Sequence, residues 1–106
     1  LLVHKYHLSA IEAVIKVSYE NKIPLFPGEG DSVERGGVAT AGVDYYKLGE
    51  QTGKQALKIL EGHNIREIPI ETQKEMSVII NTKAAEIVDI DLPKELLEKA
   101  VEIIDE

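Results

Sequence analysis

Glu29, Asp31, Ser32, Asp44 and Tyr45 stand where glycine- and proline-rich turns interrupt apolar runs, within PGEGDSVERGGVATAGVDYYKLGEQTG at positions 27–53. Carboxylates pair with an ammonium group or hydroxyls, a serine hydroxyl and loop amides accept a carboxylate, and a phenol ring stacks on another ring. That chemistry suits binding of an amino acid or another small polar solute. Each residue also has a plainer use. Asp44 precedes a helical pattern and is an effective helix cap, Glu29 and Asp31 fit a solvated turn, and Tyr45 and Tyr46 can divide between packing and solvent.

Other chemistries lack their residues. His4 and His7 have a spacing that a helix would bring together, but two imidazoles do not complete a metal site, His63 is remote, and no HExxH pattern accompanies them. Gly28 and Gly30 are followed by neither the GK[ST] of a phosphate loop nor a full GxGxxG. The chain has no cysteine and no GxSxG elbow, and Ser32 has no base visible in the sequence. No catalytic residue, cofactor or metal is therefore expected.

The elements that must position these residues follow from periodicity. Leu1–Val3 reads as a short strand, and Leu8, Ile11, Val14, Ile15 and Val17 predict a helix to about Asn21, with Ser9 and Glu12 as a capping box. Ile23–Phe26 is an extended segment, so the first third predicts a β-α-β unit with parallel strands. A turn of helix capped by Ser32 would end at Gly36-Gly37, before a strand over 38–43. The next helix would run from Tyr45 to about Glu61 and stop at Gly62. Its Gly49 and Gly53 fall on the inward face and suggest close approach to a sheet. Further strands are predicted at 68–72, with Pro69 at an edge or crossing, and at 77–80. Asn81 would cap a brief helix through Ile87, and Leu92-Pro93 would open a final helix with Leu96, Leu97, Ala100, Val101 and Ile104 as its buried stripe. The fold class is α/β, a Rossmann-like parallel sheet. Right-handed crossovers would gather 4–7, 27–32 and Asp44 with Tyr45 on one rim.

The chain has 106 residues and a formal charge of −7, with 43% hydrophobic and 29% charged residues. Its length fits one domain with a modest core, and no apolar run approaches the roughly 20 residues that span a bilayer. Nucleic acid and anionic membrane surfaces need clustered Lys and Arg that are missing here. Leu1-Leu2-Val3 reads as the interior of an element, which points to a fragment of a longer protein.

The segments IEAVIKV (11–17), KIPLFPGEGDSVERGGVATAGVDYYKLGEQTGKQALKIL (22–60), IPIETQKEMSVIINTKAAEI (68–87) and LPKELLEKA (92–100) resemble the C-terminal part of ABC-transporter substrate-binding proteins of the tryptophan/tyrosine-uptake type. The likeness covers about residues 8–106. It implies part of the C-terminal lobe of a type I periplasmic-binding-protein fold, in which two lobes close on a small solute and deliver it to an ABC permease. Residues 68–81 are similar to the last hinge crossing. The loop with Glu29, Asp31 and Ser32 matches the family's cleft-lining loop, and Asp44 matches the acidic residue at the end of the next strand. His4-Lys5-Tyr6 departs from the Asp-Asn-Thr-like loop of relatives. The implied role is non-enzymatic and extracytoplasmic, in the periplasm or lipid-anchored at the cell surface, with an aromatic or other amino acid as solute. Competing readings are an effector-binding domain of an intracellular regulator, a small enzyme using His4, His7 and the acidic loop, and a self-associating interaction module formed by an incomplete lobe.

Overall fold

A computed structural model of the chain describes the backbone of residues 2–105 and the side chains of residues 10–105. The elements are α1 (Leu2–Asn21), α2 (Gly30–Arg35), β1 (Ala39–Val43), α3 (Tyr45–Leu60), a 3-10 turn (Ile65–Glu67), β2 (Met76–Asn81), α4 (Thr82–Ile87), α5 (Lys94–Lys99) and β3 (Glu102–Ile104). The described residues form a three-stranded sheet in the order β1-β2-β3. β2 and β3 are parallel, with Ile79, Ile80 and Asn81 opposite Glu102, Ile103 and Ile104. The chain divides into two compact units, one made of residues up to Gly42 together with those from Ser77 onward, the other of Val43–Met76.

In the first unit the core is Val38, Ala39, Ile80, Ala84, Ala85 and Val88, with Tyr19, Val78, Leu96 and Leu97 packed against it. Ile11, Ile15 and Val33 bury the inner faces of α1 and α2. The amphipathic spacing of α1 explains this, since 11 and 15 are one turn apart. Asn81 ties these layers together. Its main-chain amide donates to the Val38 carbonyl (2.8 Å), its Nδ2 donates to the Val33 carbonyl (2.9 Å), and its Oδ1 accepts from the Ala84 amide (2.9 Å). The expected cap of α4 is present, and the same side chain reaches α2. Lys22 and Asp89, which follow α1 and α4, both take left-handed backbone (φ 51° and 57°) and form an ion pair with each other.

Several expected elements differ. Leu2 and Val3 belong to α1 rather than to a strand, and Leu1 lies outside the described residues. A helix satisfies its own backbone groups, whereas a three-residue strand forms only beside a ladder that can receive it. Ser9 is consequently inside α1 and not at its cap. Ile23–Phe26 is extended but unladdered, joined to the Val38 amide through the Leu25 carbonyl at 2.7 Å. Pro24 and Pro27 have no N–H to offer a neighbour. Among the described residues the β-α-β unit expected of the first third is therefore not formed.

Residues 68–72 form no strand either. Gln55 Nε2 donates to the Pro69 carbonyl (3.3 Å), Gln51 Nε2 donates to the Thr72 carbonyl (2.8 Å), and Gln51 Oε1 accepts from the Lys74 amide (3.2 Å). Side-chain amides of α3 thus replace a ladder that Pro69 would interrupt. A Cβ placed at Gly49 or Gly53 meets nothing within 4 Å, so neither glycine marks a close approach. The last expected helix stops at Lys99. Ala100 is extended (ψ 131°), Val101 donates to the Val78 carbonyl (2.8 Å), and the β-branched Ile103 and Ile104 continue as β3.

Asn81→Ala removes a helix cap, about 1 kcal/mol, and strands the Val33 carbonyl in the interior, about 1–3 kcal/mol. The slowest-exchanging β2 amides should report a loss of about 2–4 kcal/mol; unchanged protection would show that Asn81 does not join these layers.

Candidate functional site

The loop after the extended segment is built around Glu29. Extended backbone at Glu29 (φ −151°, ψ 160°) turns its carboxylate over the first turn of α2, where Oε2 accepts from the Ser32 amide at 3.0 Å. The Ser32 hydroxyl donates to Oε1 of the same carboxylate. Glu29, not Ser32, is the N-cap of α2. An acidic side chain both caps the helix and favours its positive end, whereas the Ser32 hydroxyl lies inside the first turn and is fully buried. Asp31 sits in that turn and is exposed.

The end of the loop is fixed by glycine. Gly36 adopts φ 147°, its amide donates to the Ser32 and Val33 carbonyls, and its carbonyl accepts from Tyr19 Oη at 2.9 Å. A side chain there would begin 2.7 Å from that phenol oxygen. Burial pushes the Tyr19 phenol above its usual range. At Gly42, a Cβ would stand 2.8 Å from the Gly28 carbonyl, so the acidic loop and β1 meet at a distance only glycine permits.

Asp44 and Tyr45 lie in the second unit. Asp44 Oδ1 caps α3, accepting from the Tyr46 amide (3.0 Å) and the Lys47 amide (3.2 Å). Tyr45 is 68% exposed and Tyr46 78%. One turn into α3, Lys47 Nζ pairs with Glu75 at 2.8 Å. The hydrogen bond and charge of Lys47 hold the Glu75 carboxyl below its ordinary range and raise Lys47 in return. A cleft of about 320 Å³ in this unit is lined by Lys47, Gln51, Lys54, Gln73, Lys74 and Glu75. Reading the sequence missed this pair, because 28 positions separate its members and no local pattern joins them.

Of the residues expected to bind, Glu29 and Ser32 are in direct contact, Asp31 is their exposed neighbour, and Asp44 and Tyr45 open α3. The side chains of His4 and His7 lie outside the described residues.

Residues 1–104 match the family model described as ABC transporter substrate binding protein. The chain is 40% identical over 82 residues to the tyrosine-binding protein of Clostridioides difficile (strain R20291), covering 77% of this chain and 24% of that protein. It superposes with a TM-score of 0.74 and 28% identity on an ABC domain from Streptococcus pneumonia in complex with L-Trp, and with 0.75 and 31% identity on a ligand-free, open substrate binding protein with adhesive properties from Clostridium difficile. The alignments cover 92% and 94% of this chain and 33% of each of those structures. The chain thus spans a third or less of the length of these relatives.

Because Glu75 has a folded-state pKa below its unfolded value, the pair's contribution is present above the unfolded pKa and is lost as pH falls through the folded one. Both groups face solvent, so the contribution to stability is small. In a carboxyl NMR titration Glu75 should show a midpoint below the ordinary 4.5, moving back toward it in Lys47→Met. An identical midpoint in both proteins would mean that the pair does not form in solution.

Proposed function

The chain belongs to the ABC transporter substrate-binding protein family, and from that premise we propose that it is part of an extracytoplasmic receptor that captures an aromatic amino acid for an ABC permease. The observation that carries the solute class is the 40% identity to a tyrosine-binding protein, supported by the likeness to a complex with L-Trp. The α/β architecture with capped helices leading out of strands and extended segments suits such a role. No bond is made or broken in it, and no catalytic group is required.

In this reading the exposed Asp31 carboxylate, Asp44 and the open ring of Tyr45 are the contact residues. Glu29 and Ser32 act through the loop they brace. Residues 68–81 form a hinge crossing of the parent, which is secreted to the periplasm or held by lipid at the cell surface. The solute favours a closed parent over an open one only by its differential affinity for the two. A chain carrying a third of the receptor would bind weakly by itself, and its incompletely covered apolar surfaces, such as Val14, Val17 and Ile23, would favour self-association.

Asp44→Asn tests the contact without removing the cap, since Asn serves as well as Asp at that position. In the full-length parent, calorimetry with L-tyrosine and L-tryptophan should show about 10- to 100-fold weaker binding, the worth of a charge-assisted hydrogen bond. Wild-type affinity would remove Asp44 from the site, and no binding of either amino acid by the unmodified parent would overturn the solute class.

A further inference from the structure

The stretch Val43–Met76 is a compact unit without a core of its own. Every buried residue among the described ones, apolar or polar, lies outside it. A stretch shorter than roughly 40 residues usually holds a fold only with a disulfide, a metal or a partner. This chain has no cysteine, and among the described residues no three His, Cys, Asp or Glu could hold a metal ion together. The main element of the unit, α3, is a helix of 16 residues, a length at which helix and coil are close to balanced in water. A partner surface is what remains to hold it.

Helical spacing shows which side is to be covered. Tyr45, Leu48, Ile59 and Leu60 fall along one face of α3, with Gly49, Gly53 and Ala56 between them, whereas Lys47, Lys54 and Lys58 fall opposite. Tyr45, Ile59 and Leu60 are exposed, and within this chain nothing lies within 4 Å of a Cβ built at Gly49 or Gly53. Large apolar side chains at the ends and nearly bare backbone in the middle make a shallow saddle, about 24 Å long at 1.5 Å per residue. Each glycine weakens the helix by about five-fold in its helix–coil ratio relative to alanine. In a helix already near balance, that cost is offset where another element lies too close for a side chain.

We propose that this face of α3 docks on the part of the receptor that this chain does not contain, against a flat aliphatic surface such as the face of a sheet. The choice of occupant comes from length. The two superposed substrate binding proteins match 92% and 94% of this chain with only a third of their own residues, so two thirds of each lies outside the match. A partner met in passing, such as a permease, does not serve, because a unit without a core needs its cover whenever it is folded. A second copy would make that cover depend on concentration. The inference rests on the chain's being part of a longer family member and not on which solute that member binds, so either reading can fail alone.

Amide hydrogen exchange is measured on the 106-residue chain and on the full-length parent, each with and without Gly53→Ala. The α3 amides should exchange roughly 100-fold or more slowly in the parent than in the short chain. In the short chain Gly53→Ala should raise their protection by up to about five-fold, the ordinary gain of alanine over glycine in an open helix. In the parent that gain should vanish or reverse, because the added Cβ meets the covering element. Gly53→Leu should separate the two proteins further, slowing exchange in the short chain and speeding it in the parent; Gly53→Ala decides the matter where the leucine keeps the parent from folding. Equal protection of α3 in the two proteins would overturn the proposal, as would the same gain from Gly53→Ala in both. Protection in the parent that falls on dilution would give the face to a second copy and overturn it as well. Calorimetry of the same parent with L-tyrosine and L-tryptophan tests the receptor reading separately.

Discussion

One buried amide side chain holds the first unit in register. Asn81 is 3% exposed and ends β2, yet its three polar groups are committed to Val38 just before β1, to α2 and to α4. None of these bonds is strong alone. Their force comes from burial, because each partner would otherwise lose water without compensation. Hydrophobic contacts among Val38, Ile80 and Ala84 supply the driving force but are nearly indifferent to small shifts. The amide is not, since a side chain that must meet two main-chain groups at 2.9 Å admits one register. The placement of α2, and with it the acidic loop, follows from that requirement.

The loop illustrates how local chemistry and binding compete for the same carboxylates. Glu29 and Asp44 are both helix caps, Glu29 accepting from the amide three positions on and Asp44 from the amides two and three positions on. A carboxylate held in this way has lost its rotational freedom before any solute arrives. The cost of ordering it is met by folding and not by binding.

Much of this was legible from residue types. Asp44, Asn81 and Gly62 were read as helix signals from local preference alone, and the caps and the helix end stand where expected. Strands β1 and β2 were legible because β-branched and small residues run between clear stops. The misreadings share one cause. Residues 1–3 and 68–72 have strand-like composition, but a strand requires a neighbour that composition does not supply; at Leu2 and Val3 the helix takes its place, and at 68–72 the glutamine side chains of α3 do. β3 was hidden for the converse reason, as Leu96, Leu97, Ala100 and Ile104 fit a helical stripe until Val101 finds the Val78 carbonyl. Within the candidate site, the acidic loop was visible, whereas the Lys47–Glu75 pair depends on a distance that spacing cannot convey.

Helix α3 has a well-made cap and an apolar stripe, yet none of its residues is buried, and Leu60 is 84% exposed. Its amide protons are therefore guarded by a local helix–coil equilibrium rather than by a core. For a helix of 16 residues in water that equilibrium is close to even. The amides of β2, in contrast, open only when the interior around Ile80 is breached. A single melting midpoint would average these two regimes and describe neither.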